Sequence, residues 1–203
     1  MIKKIVLTAI ALISFLGADA QSAIPQDVIK ESIVKHSVEM GVDPALALSI
    51  AKKESGFKHE LKSPYGAVGV FQILPSTAKK IGYNPYYLNE NIKAGLTYYK
   101  MMYKMFGSTE LALAAYNAGP GNVKKYGGTI PPFKETRRFV NVIMQDYNNM
   151  KANPDPCIIK YNEKVAALVE TKAKVEDAEK PLDLPDLNEI PEIRQTEAIM
   201  EIL

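Results

Sequence analysis

Glu54 is the residue of this 203-residue chain best placed for acid–base chemistry. It shares a helical face with Ala47, Ile50 and Ala51 in DPALALSIAKKESGF (43–57), because separations of three, four and seven residues fall on one side of a 3.6-residue helix. A carboxyl group in such an apolar stripe, bordering a cleft, is partly removed from water. That disfavours its charged form and raises its pKa, as a general acid working near neutral pH requires. The same position also suits a core-edge glutamate paired with Lys53 or held by backbone groups, and this helix alone leaves both readings open.

The elements that must position Glu54 read as helices joined by short breaks. Residues 26–40 form an amphipathic helix on Ile29, Ile33, Val34 and Val38, with Gly41 able to end it. Asp43-Pro44 caps and starts the helix that carries Glu54. Gly56, Pro64, Gly66 and Gly69 make 56–70 a loop or short extended turns. Further helices are expected at 76–81 and 89–106, the second on the stripe Ile92, Leu96, Tyr99, Tyr103 and Phe106, ended by Gly107. Ser108 caps a helix at 109–117, a glycine–proline reversal leads to a short turn of helix reaching Lys124, and a last helix spans 134–147. Many helices and almost no alternating pattern predict an all-α domain with at most a minor hairpin, covering about 25–150.

Four ordered blocks surround Glu54 in this scheme: ESGF (54–57), SPYGAVGVFQILPSTA (63–78), ALAAYNAGPG (112–121) and ETRRFV (135–140). Together they resemble the soluble lytic transglycosylase catalytic domain, a lysozyme-like fold, over residues 25–148. The resemblance implies that Glu54 is the catalytic acid and base and that Ser55 helps place the substrate or the glutamate. It also implies substrate-contacting roles for Gly66, Gly69 and Gln72 and for Tyr116 and Asn117. The residues themselves allow such roles. Glycines let a backbone pass close to a bulky sugar, Phe71 offers a ring face, and Gln72 offers a donor and an acceptor. They equally allow a tight turn leading into a core helix, and Tyr116 is also a reasonable core aromatic with its hydroxyl on a buried acceptor. Beside Asn117 and a glycine turn, Tyr116 is read as a cleft wall. Arg137 and Arg138 read as a mixed packing and solvated surface, with a role in holding peptide carboxylates as the other reading. Val70, Phe71 and Phe139 stand where the family usually has leucine, methionine and tyrosine, a departure that bears on sugar positioning.

The activity so implied is cleavage of the MurNAc–GlcNAc β-1,4 bond of peptidoglycan glycan strands with 1,6-anhydromuramic acid formed. Usual glycosidases need two carboxylates, whereas one suffices if the muramic C6 hydroxyl replaces water. Glu60, the nearest other acid in the sequence, lies outside the apolar stripe and is a poor second member. A hydrolytic muramidase on the same fold and a non-catalytic wall-binding scaffold are the competing readings.

The remaining segments set location and partners. MIKKIVLTAIALISFLGADA has a charged start, an apolar run and a small-residue end, the pattern of a cleaved export signal at 1–20 with Gln21 as mature start. Its apolar run is shorter than the ~20 residues that span a bilayer, so no stable membrane anchor is expected, and the mature chain is expected in the periplasm or secreted. Residues 151–203 carry 12 Asp/Glu against 7 Lys/Arg, an acidic tail with NPDP (153–156) as linker, helical periodicity over 161–180 and a proline-interrupted segment before a final amphipathic piece. Such a tail suits covering part of the domain, contacting an envelope secretion or conjugation machinery as partner, or neither. The mildly basic part before residue 151 suits an anionic envelope polymer or an ordinary solvated face, and no nucleic-acid partner is expected. His36, His59 and the lone Cys157 have no metal-ligand spacing, so no metal and no cofactor are expected; the histidines read as surface residues and Cys157 as semi-buried.

Overall fold

The computed structural model describes residues 23–178. The export signal and the tail pieces after Ala178 lie outside the described residues. Among the described residues eight helices follow one another: α1 (Gln26–Glu39), α2 (Pro44–Ser55), α3 (Pro75–Lys80), α4 (Leu88–Phe106), α5 (Thr109–Ala118), α6 (Pro120–Lys125), α7 (Lys134–Ala152) and α8 (Pro156–Ala178). Among the described residues, β structure is confined to two isolated antiparallel bridges, Lys62 with Val68 and Val68 with Ile73. The expected all-α domain with a minor hairpin is what forms.

Local chemistry sets the ends of the helix that matters most. The Asp43 carboxylate accepts from the Ala45 N–H at 2.9 Å, and Pro44 occupies the first turn. At the other end Gly56 adopts φ 61°, the left-handed conformation that glycine takes without a Cβ clash, and its N–H closes on the Lys52 carbonyl. Ser108 caps α5 by accepting from the Leu111 N–H. Between its caps α2 is buried along nearly its whole length, with Ala47, Leu48, Ile50 and Ala51 fully inaccessible. It packs against α1 and α7, while α4 packs on α5 and α1. Both α2 and α5 pack against α7, and the ends that carry Glu54 and Tyr116 lie within electrostatic reach of each other.

Two stripe assignments and the placement of both histidines differ from the sequence reading. On α1 the buried face runs through Ile29, Ile33, Val34 and Ser37, so Val38 turns outward and His36 is buried, its Nδ1 2.9 Å from Glu39 Oε2. On α4 Met102 takes the inward position and Tyr103 is exposed, since Met102 lies one turn beyond Tyr99 on the packed face. His59 is half-buried: its Nε2 donates to the Tyr86 carbonyl at 3.1 Å.

Helix α7 continues past 147 to Ala152, and α8 starts at Pro156, before the expected 161, so the break falls at 153–155 inside NPDP. Asp155 holds this corner: its carboxylate accepts from the Cys157 N–H at 3.0 Å and from Lys30 Nζ at 2.9 Å. Lys30 Nζ also stands 5.2 Å from the Phe57 ring centroid. Cys157 is buried, with Ile158 and Tyr161 packed against the core. The chain divides into two compact units after Tyr161. In the second, Val165, Leu168, Val169 and Val175 of α8 are exposed. No helix among the described residues is long and apolar enough to cross a membrane.

Candidate active site

Glu54 lies in the last turn of α2, partly exposed, one residue before the helix end. Burial pushes its carboxyl up to about 8; Lys53 opposes the rise and Glu135 adds to it. No hydrogen bond contributes. The C-terminal end of a helix also disfavours negative charge. A group with this pKa is mainly protonated at neutral pH yet ionises within reach, the condition for both giving and taking a proton. Lys53 Nζ sits 5.6 Å from the Phe139 ring centroid, so its charge is held beside the site by an aromatic face rather than by an ion pair with Glu54.

The 61–73 turn is fastened to the end of α2 and to α4. Ser55 Oγ lies 2.9 Å from the Val70 carbonyl and 3.2 Å from that of Ala51, and accepts from the Lys58 N–H at 3.2 Å. Asn91, fully buried at the start of α4, does more: its Oδ1 accepts from the Phe71 N–H at 2.9 Å, and its Nδ2 donates to the Val68 and Pro85 carbonyls, each at 2.9 Å. One amide thus satisfies three buried backbone groups that would otherwise be orphaned. Gln72, with φ 44°, donates through Nε2 to the Gly69 carbonyl at 2.8 Å and the Leu61 carbonyl at 3.1 Å.

Tyr116 joins this turn to α5. Its hydroxyl donates to the Phe71 carbonyl at 2.8 Å, and its ring lies between Tyr98 at 5.2 Å and Phe139, stacked at 6.5 Å. Burial raises its pKa well above the ordinary value, with Glu54 and then Tyr98 adding to the effect, which places the phenol in the field of the Glu54 carboxyl. Asn117, next in the chain, is exposed and accepts from Thr136 Oγ1 at 2.8 Å. Its amide donors are the end left for a ligand.

The structure therefore gathers Glu54, Ser55, Gln72, Tyr116 and Asn117 around the end of α2, but it changes three of the expected roles. Tyr116, expected as a cleft wall, is buried with its hydroxyl on the Phe71 carbonyl and holds the turn instead. Phe71 offers no ring face to a sugar: the ring is wholly buried, and a Cβ on Gly95 of α4 would overlap it. Gly69 does not clear a path for a ligand either. It is buried at φ 76°, and a Cβ there would collide with the Asn91 amide, so the close approach it permits is to the residue that pins the turn. Asn91, Glu135 and Thr136 were not singled out from the sequence. Asn91 stands in the polar first turn of α4, after Asn89 and Glu90, with nothing to mark it, whereas Glu135 and Thr136 lie inside the ETRRFV block, which carries the signal. A groove of about 690 Å³ lined by Met40, Leu46, Tyr99, Tyr103 and Tyr147 shares no residue with this constellation. No group of three or more His, Cys, Asp or Glu able to hold a metal occurs among the described residues.

Residues 31–137 match the model of the transglycosylase SLT domain. The chain belongs to the transglycosylase SLT domain family. It is 35% identical over 130 residues to the soluble lytic murein transglycosylase of Salmonella typhimurium, covering 52% of this chain and 20% of that protein, and 28% identical over 129 residues to the transglycosylase of Enterobacteria phage PRD1, covering 63% and 46%. The chain thus spans about a fifth of the length of the Salmonella protein. The 70-kDa soluble lytic transglycosylase of Escherichia coli superposes with a TM-score of 0.54 at 30% identity, over 63% of this chain and 25% of that one. The SLT domain here therefore has the all-α lysozyme-like fold of those structures, and Glu54, Gln72, Tyr116, Asn117 and Glu135 all fall within the matched span.

Proposed function

We propose that this SLT domain is a lytic transglycosylase that cleaves the MurNAc–GlcNAc β-1,4 bond of peptidoglycan, with Glu54 as its acid and base. The carrying observation is the Glu54 carboxyl, pushed up to about 8 by burial at the centre of the residues that the family blocks bring together. The neutral carboxyl donates its proton to the glycosidic oxygen as the C1–O bond breaks, leaving positive charge shared by C1 and the ring oxygen. The resulting carboxylate takes the proton from the muramic C6 hydroxyl, whose oxygen closes on C1. The anhydro ring forms, Glu54 regains its proton, and no water is consumed. Ser55, Asn91 and Tyr116 hold the turn that faces Glu54, while Asn117 presents amide donors to the sugar. Phe71 acts only through its backbone.

Glu135 favours a second reading. It is a second carboxylate felt by Glu54, and paired acids are the hydrolase arrangement. It is exposed, and its effect ranks below those of burial and Lys53, which weighs toward the single-acid scheme. Muropeptide mass spectrometry on purified sacculi separates the two. Anhydromuramoyl ends from the native protein, falling at least ~10²–10⁴-fold in Glu54→Gln, support the transglycosylase; reducing ends carrying added water move the assignment to a muramidase with Glu135 as base.

Export of the chain with cleavage after Ala20 fits a wall substrate. The acidic segment after Met150 supports a dedicated use, opening the wall for a secretion or conjugation apparatus that the tail contacts. Recovery of envelope proteins with the full chain but not with one ending at Tyr161 tests that use, and equal recovery removes it.

A further inference from the structure

We propose that Tyr126 and Phe133, with the cations around them, form a sugar-stacking platform that binds the peptide-bearing glycan strand beyond the bond being cut; this rests on the glycan being the substrate. The two rings meet edge to face, 5.6 Å between centroids at 87°, and each residue remains 37% exposed. A half-exposed aromatic pair presents the apolar, polarisable face that a pyranose ring can cover.

The pair is held in place before any ligand arrives. Gly128 N–H donates to the Val123 carbonyl at 2.9 Å and Gly127 N–H to that of Lys124 at 3.0 Å, while Thr129 Oγ1 donates to the Tyr126 carbonyl at 2.7 Å. Val123 is fully buried and Pro131 is buried, so both ends of the connection are seated in the core. Phe133 immediately precedes α7, and its carbonyl accepts from the Arg137 N–H at 3.0 Å. It lies within one helical turn of Glu135, whose charge reaches Glu54, and of Thr136, which is bonded to Asn117. The platform is therefore continuous with the site.

Charge selects the occupant. Over residues 124–138 the exposed cations Lys124, Lys125, Lys134, Arg137 and Arg138 face one acid, Glu135, and none of the five is in an ion pair among the described residues. A bare glycan would leave them unused; stem peptides bring carboxylates that planar guanidinium groups pair well. Rings for the sugar and cations for the peptide make one surface for a peptide-bearing strand.

The full chain carrying Glu54→Gln is used to measure binding to purified sacculi and to glycan strands stripped of stem peptides by an amidase. Tyr126→Ala with Phe133→Ala should weaken binding to both materials roughly tenfold. Arg137→Gln with Lys134→Gln should weaken binding to sacculi alone, by roughly threefold. If the alanine pair melts early, the leucine pair, which keeps apolar packing without rings, should show the same loss. In the active protein the aromatic variants should raise KM with kcat within about twofold. Unchanged binding by a natively melting aromatic variant overturns the platform, as does failure of the Glu54→Gln protein to bind sacculi. Binding requires no turnover, so absence of anhydro ends from the native protein would defeat the proposed activity while leaving these comparisons readable.

Discussion

Helix α2 carries a carboxylate at each end, and the two are treated in opposite ways. Asp43, at the N-terminus, is pushed up by partial burial, but the hydrogen bond from Lys151, the Ala45 N–H and the Tyr147 hydroxyl outweigh this and hold it below its ordinary value. Glu54, at the C-terminus, receives no hydrogen bond and is driven up to about 8 by burial, with Lys53 only partly opposing. The helix dipole favours the first charge and opposes the second. One end is built for a permanent charge that fixes the helix start; the other keeps a proton available. Their environments, not the side-chain type, assign structural and chemical roles.

The sharpest way to break this contrast is to loosen what encloses Glu54 without touching it. Asn91→Leu strands the Phe71 N–H and the Val68 and Pro85 carbonyls, each costing about 1–3 kcal/mol when buried and unpaired. The variant should lose about 3–5 kcal/mol by denaturant melting, and where it remains folded its alkaline activity limit should fall as Glu54 gains water. Native stability with an unchanged limit would show that the turn does not depend on this amide.

The two carboxylates should also give opposite pH slopes. For Glu54, raised in the folded state, stability is complete below the unfolded value of 4.5 and is lost as pH rises toward about 8. For Asp43, lowered in the folded state, the contribution is present above 3.8 and is lost as pH falls through the folded value. Glu54→Gln should therefore stabilise the protein at pH 9, by up to roughly 5 kcal/mol, and leave it nearly unchanged at pH 4. Asp43→Asn keeps a capping oxygen, since asparagine caps as well as aspartate, so it should cost only the charge contribution, less than about 1 kcal/mol at pH 7, and nothing once the native carboxyl is protonated. The exposed Lys151 pair adds little to that figure because solvent screens it. Melting curves across pH check both, and parallel slopes would dissolve the contrast.

The sequence exposes this arrangement unevenly. Asp43-Pro44, Gly56, Gly107 and Ser108 act through neighbours along the chain, so the ends of α2, α4 and α5 can be read from composition, and the stripe through Ala47, Ile50 and Ala51 points Glu54 to its face. Long-range polar contacts leave no such mark. Asn91 reaches back twenty residues to the Phe71 N–H, and nothing local distinguishes it from a solvated asparagine. At Phe71 and Gly69 the sequence alone allows a ligand role, because glycine and aromatic residues suit both a binding loop and a tight core turn; only the packing against Gly95 and Asn91 decides between those. His36 reads from the sequence as a surface residue, yet it is buried because the packed face of α1 runs through Ser37, a residue that carries no hydrophobic signal.

The most direct measurement is the titration of the Glu54 carboxyl itself, followed by the side-chain carboxyl carbon in protein labelled at glutamate and assigned by its disappearance in Glu54→Gln. An apparent pKa near 8 is the expected result, with the carboxyl largely protonated at pH 7. A value near 4.5 would mean that Glu54 is an ordinary solvated carboxylate, and the acid–base account of this site would fail.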